Sequence, residues 1–441
     1  MFRLLLIIIL CFLGCKTPQA PGSRETITYT FDNQIQKLIC HLAQEHQIPA
    51  YQDFDRRFKG LFVPENLLPY EPFVLALSTE SKIPTVLLLD APWVRRYAMA
   101  GWLYEMERTG VFSKDDLVPA VAEAFSVSVP EITGLSKAEL MAVPISIKGN
   151  ILFYRQDLLS RYHQEPPRDW AGLKAVCQKI LPQEPSLKYG LIFHATNFIN
   201  DFYPILWGFG GAILDGQGHL VLNRPEVLAA GIEALQEICK MSGTLAPSIR
   251  ELKEFEAPQS LRQAFYRGEA LFMINWNTRM QDLKEIIQQG DRPTPYSLTD
   301  LNQVGVAPIP CRAGHPHRYS NVGSFGWGIN RFAITNHLIM ATARQFINLV
   351  TNDRFQVLAA ETLGQIPALQ SALTQVKNKE VWQVYQATFA LVDLVLRPRP
   401  QSRIVNNILE KYLLEALHGQ SSPEAALTAA SVELQGVVRK E

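Results

Sequence analysis

The segment "PTVLLLD" at residues 84–90 limits the possible folds of this chain more than any other feature. It is apolar at every position from Val86 to Leu89 and stops at Asp90. A strand with one solvated face alternates apolar and polar residues, whereas a strand buried on both faces reads as a continuous apolar run. Helices must then cover both faces of the sheet that contains this segment. The sequence therefore predicts α/β layers with largely parallel sheets.

Other segments show the same alternation of short strands with amphipathic helices. "GNILFYR", "VGVAPIP" and "GWGIN" are strand-like, and Asp169 stands where it can cap a helix. One face of that helix carries Leu173, Val176, Cys177 and Ile180. The chain has 441 residues, of which 47% are apolar and 19% charged, so it can bury two cores of about 100–200 residues each.

The charges of the chain balance. Lys and Arg together number 42, and Asp and Glu together also number 42. No net field therefore draws the protein to nucleic acid or to an anionic membrane surface. We expect no nucleic-acid partner.

The first residues, "MFRLLLIIILCFLGCKTPQAPGS", predict export. Arg3 precedes an apolar run from Leu4 to Leu13, about half of the roughly 20 residues that a spanning helix needs. A small residue before Cys15 resembles the bacterial lipoprotein signal, in which the cysteine becomes the lipidated first residue. We predict a signal peptide at residues 1–14 and a tether at 15–23, with the mature protein outside the cytoplasmic membrane. The alternative is an ordinary signal cut nearby, which leaves Cys15 removed or free.

The chain lacks the common catalytic and cofactor motifs. "NVGSFG" has no Gly two residues before Ser324, as a nucleophile elbow requires, and no phosphate-cradling loop or dinucleotide fingerprint occurs. Cys311, His315 and His317 could hold a metal, but Pro316 and the missing fourth ligand favour a solvated loop. We predict no catalytic residue, no metal and no cofactor.

The remaining cysteines leave the question of disulfides open. An exported chain with four more cysteines could pair them, but a chain of this length does not need disulfides for stability. These cysteines are Cys40, Cys177, Cys239 and Cys311. Cys177 and Cys239 lie on apolar helix faces and are predicted to be small buried hydrophobes.

Several segments, taken in order and spacing, resemble the family 1 extracellular solute-binding proteins of ABC importers. The subgroup for maltose, trehalose and related glycosides is the most similar. The resemblance runs from about Pro84 to the C-terminus and is carried by "VLLLDAPWVRRYAMAGWLYEME", "VPISIKGNILFYRQDLLSRYHQEPPRDWAGL", "LWGFGGAILD", "FYRGEALFMINW", "GSFGWGIN" and "LRPRP".

This resemblance implies a two-lobed clamp with a ligand cleft between two α/β lobes. It places hinge crossings near residues 143–149, 302–306 and 349–353. The N-terminal lobe would comprise residues 24–143 and 302–350, and the C-terminal lobe residues 144–301 and 351–441. A ligand that bridges both lobes stabilises the closed form, which a membrane permease can recognise.

The resemblance also implies sugar contacts at Trp276, Gly326 and Trp327. Sugar rings present a patch of C–H groups and a rim of hydroxyls, so flat apolar faces with polar groups around them suit a sugar pocket. Gly326 would let a ligand or a backbone approach the Trp327 indole. The alternative is that one or both indoles are core residues beneath the cleft.

Polar contacts implied by the resemblance are Asp90, Asp201 and Arg397. Asp90 could instead cap the following helix, and Arg397 could be a surface residue, with Arg399 as a competitor. Lys148 stands where many saccharide binders of this group carry an acid. It would lie in the cleft and favour a negatively charged ligand, or point to solvent. In an empty cleft it should stay hydrated or pair with an acid such as Asp201.

We therefore predict a monomeric, lipid-anchored, extracytoplasmic protein that captures a sugar and delivers it to the transmembrane subunits of an ABC permease. Two alternatives remain. A ligand-dependent sensor would present the closed clamp to a receptor, and an exported carbohydrate-active enzyme would need a correctly placed pair of acids.

Overall fold

The computed structural model describes residues 27–31, 38–39, 58–62, 74, 76–107, 112–128, 138–194, 198–215, 219–248, 251, 258–391, 394–398 and 403–438. The predictions for the signal peptide, the tether, Cys15, Cys40 and Arg399 lie outside these residues.

A five-stranded mixed sheet forms the centre of the first lobe. Its order is β2-β1-β3-β12-β6, with bounds Ile27–Phe31 (β1), Phe58–Phe62 (β2), Val86–Asp90 (β3), Val143–Pro144 (β6) and Phe325–Ile329 (β12). β1 runs parallel to β2 and β3, while β12 runs antiparallel to β3 and β6. The prediction for "PTVLLLD" is confirmed, since β3 has sheet neighbours on both sides and Val86, Leu87 and Leu89 are buried.

A four-stranded sheet forms the centre of the second lobe. Its order is β10-β7-β9-β8, with bounds Asn150–Arg155 (β7), Tyr189–Ile192 (β8), Ala270–Trp276 (β9) and Val304–Ala307 (β10). β7 runs antiparallel to β9 and β10, and β8 runs parallel to β9. The expectation of largely parallel sheets is therefore wrong. β7 follows a passage from the other sheet, so no helical crossover within one sheet obliges it to be parallel.

Two short two-stranded sheets accompany the main ones. One pairs Ser126–Val127 (β4) with Glu139–Leu140 (β5) in antiparallel orientation. The other pairs Arg318–Val322 (β11) with Leu394–Pro398 (β13) in parallel orientation. The second pair joins two parts of the chain that are distant in sequence.

Helices pack on the sheets. Their bounds are Ala91–Met99 (α1), Pro119–Phe125 (α2), Gln156–Arg161 (α3), Trp170–Ile180 (α4), Phe198–Gly208 (α5), Pro225–Met241 (α6), Pro258–Tyr266 (α7), Arg279–Gln289 (α8), His337–Thr351 (α9), Asp353–Leu363 (α10), Gln370–Leu373 (α11), Lys379–Val384 (α12), Arg403–Leu417 (α13) and Pro423–Val438 (α14). In the described part of the chain, none of them is both long and apolar enough to cross a membrane.

Helix α4 follows its sequence prediction closely. The Asp169 side chain accepts a hydrogen bond from the Gly172 amide at 2.7 Å and so caps the first turn. Its apolar face is buried, including the thiol of Cys177. Burial raises the pKa of the Cys177 thiol to about 12 and that of Cys239 to about 11, and both cysteines are free. They are not positioned as reactive thiolates.

The passages between the sheets differ in part from the expected lobe boundaries. The first passage lies between β6 and β7, close to the expected 143–149. We expected the chain to return to the first lobe at residue 302. It returns only after Ala307, because Val304–Ala307 pair with β7 in the second sheet. Residues through Leu369 stay with the first lobe, since Val118 donates to the Ala368 carbonyl and Leu117 bridges to Leu369. The remaining boundaries stay a prediction.

Candidate functional site

The two main sheets meet at the ends of β3, β7, β9 and β12. β3 ends at Asp90, which is paired with Phe325 at the start of β12. On the other sheet, Asn150 at the start of β7 is paired with Trp276 at the end of β9. The passage at residues 145–149 joins these edges. We place the candidate cleft here, because Asp90 and Trp276 lie at the strand ends and Lys148 lies in the passage.

Hydrogen bonds hold the passage to both lobes. The Lys148 amide donates to Ser324 Oγ at 3.3 Å, and the Gly323 amide donates to the Lys148 carbonyl at 3.0 Å. The Gly149 amide donates to Asn277 Oδ1, and the Asn277 amide donates to the Gly149 carbonyl, both at 3.0 Å. The position of Lys148 between the lobes is therefore well defined.

Lys148 places its ammonium group beside an aromatic ring of the first lobe. Its Nζ lies 4.9 Å from the centroid of the Phe325 ring, within cation–π range, and both side chains are half-buried. A positive charge thus lies at the cleft-facing end of β12. Sequence reasoning singled out Lys148 but missed Phe325, although the "SFGW" pattern contained it.

Trp276 lies at the cleft edge of the second sheet and is half-buried. Its ring packs against the backbone of Gly323, where an added Cβ would lie 2.4 Å from Trp276 Cζ3. The missing side chain of Gly323 therefore makes room for the Trp276 indole, a close approach that sequence reasoning did not predict. Gly323 precedes β12, so this contact brings the indole up to the chain that re-enters the first lobe.

Trp327 lies in the core of the first lobe and is 0% exposed. Its ring packs edge-on against Phe346 of α9 at a centroid distance of 5.1 Å and against Tyr29 of β1 at 6.2 Å. Side chains alternate across a strand, and α9 covers the face on which Trp327 points. This placement favours the core interpretation over a sugar platform.

Gly326 faces the opposite side of β12. A Cβ at this position would lie 2.5 Å from Phe125 Cε1 and 3.0 Å from the Val143 carbonyl oxygen. The missing side chain lets α2 pack directly on the sheet. Phe125 and the Val143 backbone thus occupy the space beside Gly326, so of the two expected approaches, ligand or backbone, the structure shows the backbone one.

Asp90 occupies the position before α1 but does not cap it. Its side chain makes no capping hydrogen bond, and the Ala91 amide instead donates to the Ser324 carbonyl at 2.9 Å. The alternative helix-cap role is therefore wrong. Asp90 is half-buried at the end of β3 and stays a candidate ligand contact.

Asp201 is fully buried at the start of α5. It accepts hydrogen bonds from the Asn150 side-chain amide and from both the backbone amide and Nδ1 of His194. The Asp201 carboxylate is thus bonded to Asn150 and His194, and Asp201 is not the acid that pairs with Lys148, which was one of the two alternatives for an empty cleft. Sequence reasoning missed His194, which gave no signal beyond following a short apolar strand.

Arg397, the remaining polar candidate, lies on β13. The Arg397 backbone pairs with Asn321 between β13 and β11, and its side chain lies outside the described residues. Within the described residues no cluster of His, Cys, Asp or Glu could hold a metal ion.

Solved structures with this architecture are two-lobed binding proteins. Maltose-bound T. maritima MalE3 aligns with 93% of this chain and 99% of its own, with a TM-score of 0.72 and 24% identity. The sugar-binding protein MalE of Xanthomonas citri aligns with 94% of this chain and 98% of its own, with a TM-score of 0.72 and 16% identity. An ABC transporter solute-binding protein of Agrobacterium radiobacter K84 in complex with ribitol aligns with 95% and 100%, with a TM-score of 0.68 and 20% identity. The fold is that of this two-lobed class, as the sequence predicted.

The family model of bacterial extracellular solute-binding proteins matches residues 72–388 of this chain. The chain belongs to this family. A probable ABC transporter-binding protein of Deinococcus radiodurans is 32% identical over 147 residues, which are 31% of this chain. The alignment spans about a third of that relative, 33% of its length.

Proposed function

We propose that this protein captures a sugar or related polyhydroxylated solute between its lobes and delivers it unchanged to an ABC permease. The observation that carries the proposal is the half-buried Trp276 indole at the meeting edges of the two sheets, with Asp90 and Lys148 at the same edges. A flat apolar face beside polar groups suits the C–H patch and hydroxyl rim of a sugar ring. The maltose and ribitol complexes of the similar structures support this solute class.

The lobes act as a clamp in this proposal. A solute that touches both walls is bound more tightly in the closed form and shifts the population toward it. The permease recognises the closed form, and acyl chains on Cys15 keep the monomeric protein at the membrane surface. No step breaks a bond in the solute.

We propose direct ligand contacts for Asp90, Lys148 and Trp276, and we retain Arg397 from the family resemblance. Phe325 joins this set as a second apolar face, because its ring is half-buried under the Lys148 ammonium. Gly326 and Trp327 are proposed to support the sheet from within the core.

A thermal-shift screen over sugars, polyols and sugar phosphates tests this function. A solute that binds only the native state adds about 2.7 kcal/mol to the free energy of unfolding at 100 times its Kd. We expect a neutral or acidic saccharide to raise the melting temperature. A flat response to the whole saccharide panel, with amino acids or peptides raising the melting temperature instead, would remove the sugar proposal.

Replacing Trp276 by alanine should weaken solute binding by about 1–3 kcal/mol, the scale of burying a large aromatic side chain against a ligand. The fold should change little, since the ring is half-buried at an edge. Isothermal titration measures the affinity and thermal melting the stability. Trp382 on α12 is 40% exposed, and Trp382→Ala is the matched control that should bind normally. If Trp276→Ala and Trp382→Ala both bind the solute with native affinity, Trp276 is excluded from the site.

Replacing Lys148 by methionine should abolish any preference for an anionic solute over its neutral analogue. The ammonium on Phe325 lies at the cleft edge and would attract a phosphate or carboxylate. The comparison uses a neutral disaccharide and its phosphate at two salt concentrations, since salt screens such an attraction. Lys188→Met is the control, because that lysine pairs with Glu269 near the opposite end of β8. Identical discrimination by native protein and Lys148→Met would place the ammonium outside the site.

A further inference from the structure

His194 lies at the cleft edge of the second sheet. It follows β8 by two residues, and β8 runs parallel to β9 with Ile192 beside Met273. His194 is therefore close to the level of Trp276 at the end of β9. Its side chain is 16% exposed, so part of the ring remains accessible at this edge.

The His194 ring is oriented by a completely buried carboxylate. Asp201 accepts from His194 Nδ1 at 2.9 Å, from the His194 backbone amide at 3.0 Å and from the Asn150 side-chain amide. A carboxylate only accepts hydrogen bonds, so Nδ1 must carry a proton. In the neutral ring, Nε2 is then the acceptor.

Asn150, the first residue after the passage between the lobes, links the His194–Asp201 pair to β11. Its backbone amide donates to Asn321 Oδ1 at 3.1 Å, and its carbonyl accepts from Ser320 Oγ at 2.7 Å. The Asn321 side-chain amide in turn donates to the Asn200 carbonyl at 3.0 Å, next to Asp201. The carboxylate is thus held from β7, β11 and α5, which leaves the imidazole little freedom to rotate.

We propose that His194 is a further ligand-binding residue, whose Nε2 accepts a hydrogen bond from a hydroxyl of the solute, and that Asp201 is its positioning residue. In the described part of the chain, the ring makes no hydrogen bond other than the one to Asp201. A site built to bond a hydroxyl rejects the analogue that lacks it, because the polar atom is then left unpaired. His194 therefore selects polyhydroxylated solutes over their deoxy analogues. This inference rests on the proposed function.

The first test compares solute affinities of His194→Phe and His194→Gln with the native protein. Maltose, trehalose and ribitol are titrated by calorimetry, and thermal melting monitors the fold. We expect His194→Phe, which keeps a ring without an acceptor, to bind about tenfold more weakly, while His194→Gln keeps an acceptor and loses less. Native affinity in His194→Phe overturns this proposal while the proposed function stands. If the native protein binds none of the three solutes, the titration uses the saccharide or polyol that raises its melting temperature most, and a flat response to that whole panel overturns both.

The second test reads the proton positions directly. Nitrogen chemical shifts of 15N-histidine protein, assigned to His194 by difference with His194→Gln, report which ring nitrogen carries the proton. We expect a protonated Nδ1 and an unprotonated Nε2 whose shift moves on saturation with the solute that binds. Asp201→Asn should redistribute the two tautomers and weaken binding, an effect that a purely structural role would not produce. Should Asp201→Asn fail to fold, the native spectrum decides, since an Nε2 shift unchanged by bound solute overturns the proposal.

Discussion

Replacing Trp327 by alanine is expected to lower the free energy of unfolding by about 3–5 kcal/mol, the usual cost of truncating a buried aromatic side chain. The indole is completely buried between Phe346 and Tyr29, and its removal would leave a cavity that α9 and β1 cannot fill. Its Nε1 has no hydrogen-bond partner among the described residues, so packing alone holds the ring. Trp327→Phe should consequently cost less.

Denaturant unfolding and calorimetric titration together check this expectation. At a temperature where Trp327→Ala is folded, its solute affinity should equal that of the native protein. Trp276→Ala should show the reverse pattern, with near-native stability and weaker binding. A Trp327→Ala protein of native stability that binds solute poorly would restore the sugar-platform interpretation.

Replacing Gly326 by alanine is expected to destabilise the protein by about 1–3 kcal/mol through overpacking. The new methyl group would lie 2.5 Å and 2.9 Å from two carbons of the Phe125 ring and 3.0 Å from the Val143 carbonyl oxygen. The ring can shift only by moving α2, and the carbonyl belongs to the neighbouring strand β6. The backbone of Gly326 is not in the left-handed region, so the cost is steric.

A second substitution separates steric cost from any ligand effect. Phe125→Leu opens space beside Gly326, so the Gly326→Ala change should cost less in that background than alone, as a double-mutant cycle of unfolding free energies would show. Gly436→Ala is the control, because nothing lies within 4 Å of its Cβ position on α14 and alanine favours a helix by up to about 1 kcal/mol. Unchanged stability with impaired solute binding in Gly326→Ala would contradict the packing role.

The placement of the site residues shows where the sequence pattern stopped being informative. Trp276 and Trp327 both stand in apolar strands, and the sequence left the sugar-contact and core roles open for each. Trp327 is buried because α9, which carries Phe346, covers its face of the sheet. Trp276 is half-buried because β9 ends there. The close approach at Gly323 was likewise not predictable from local sequence, because it depends on Trp276, which is distant in the chain.

Local signals were sufficient wherever neighbouring residues decide the outcome. The buried strand β3, the Asp169 cap of α4 and the succession of strands and helices followed from sequence, because burial on two faces and capping act over a few residues. The family was equally visible in the order of its segments. Tertiary structure alone decided the antiparallel strands, the return after Ala307 and the pairing of Asp201 with His194. Each of these depends on contacts between residues whose meeting is set by how the chain passes between the lobes, and strand periodicity does not encode that path.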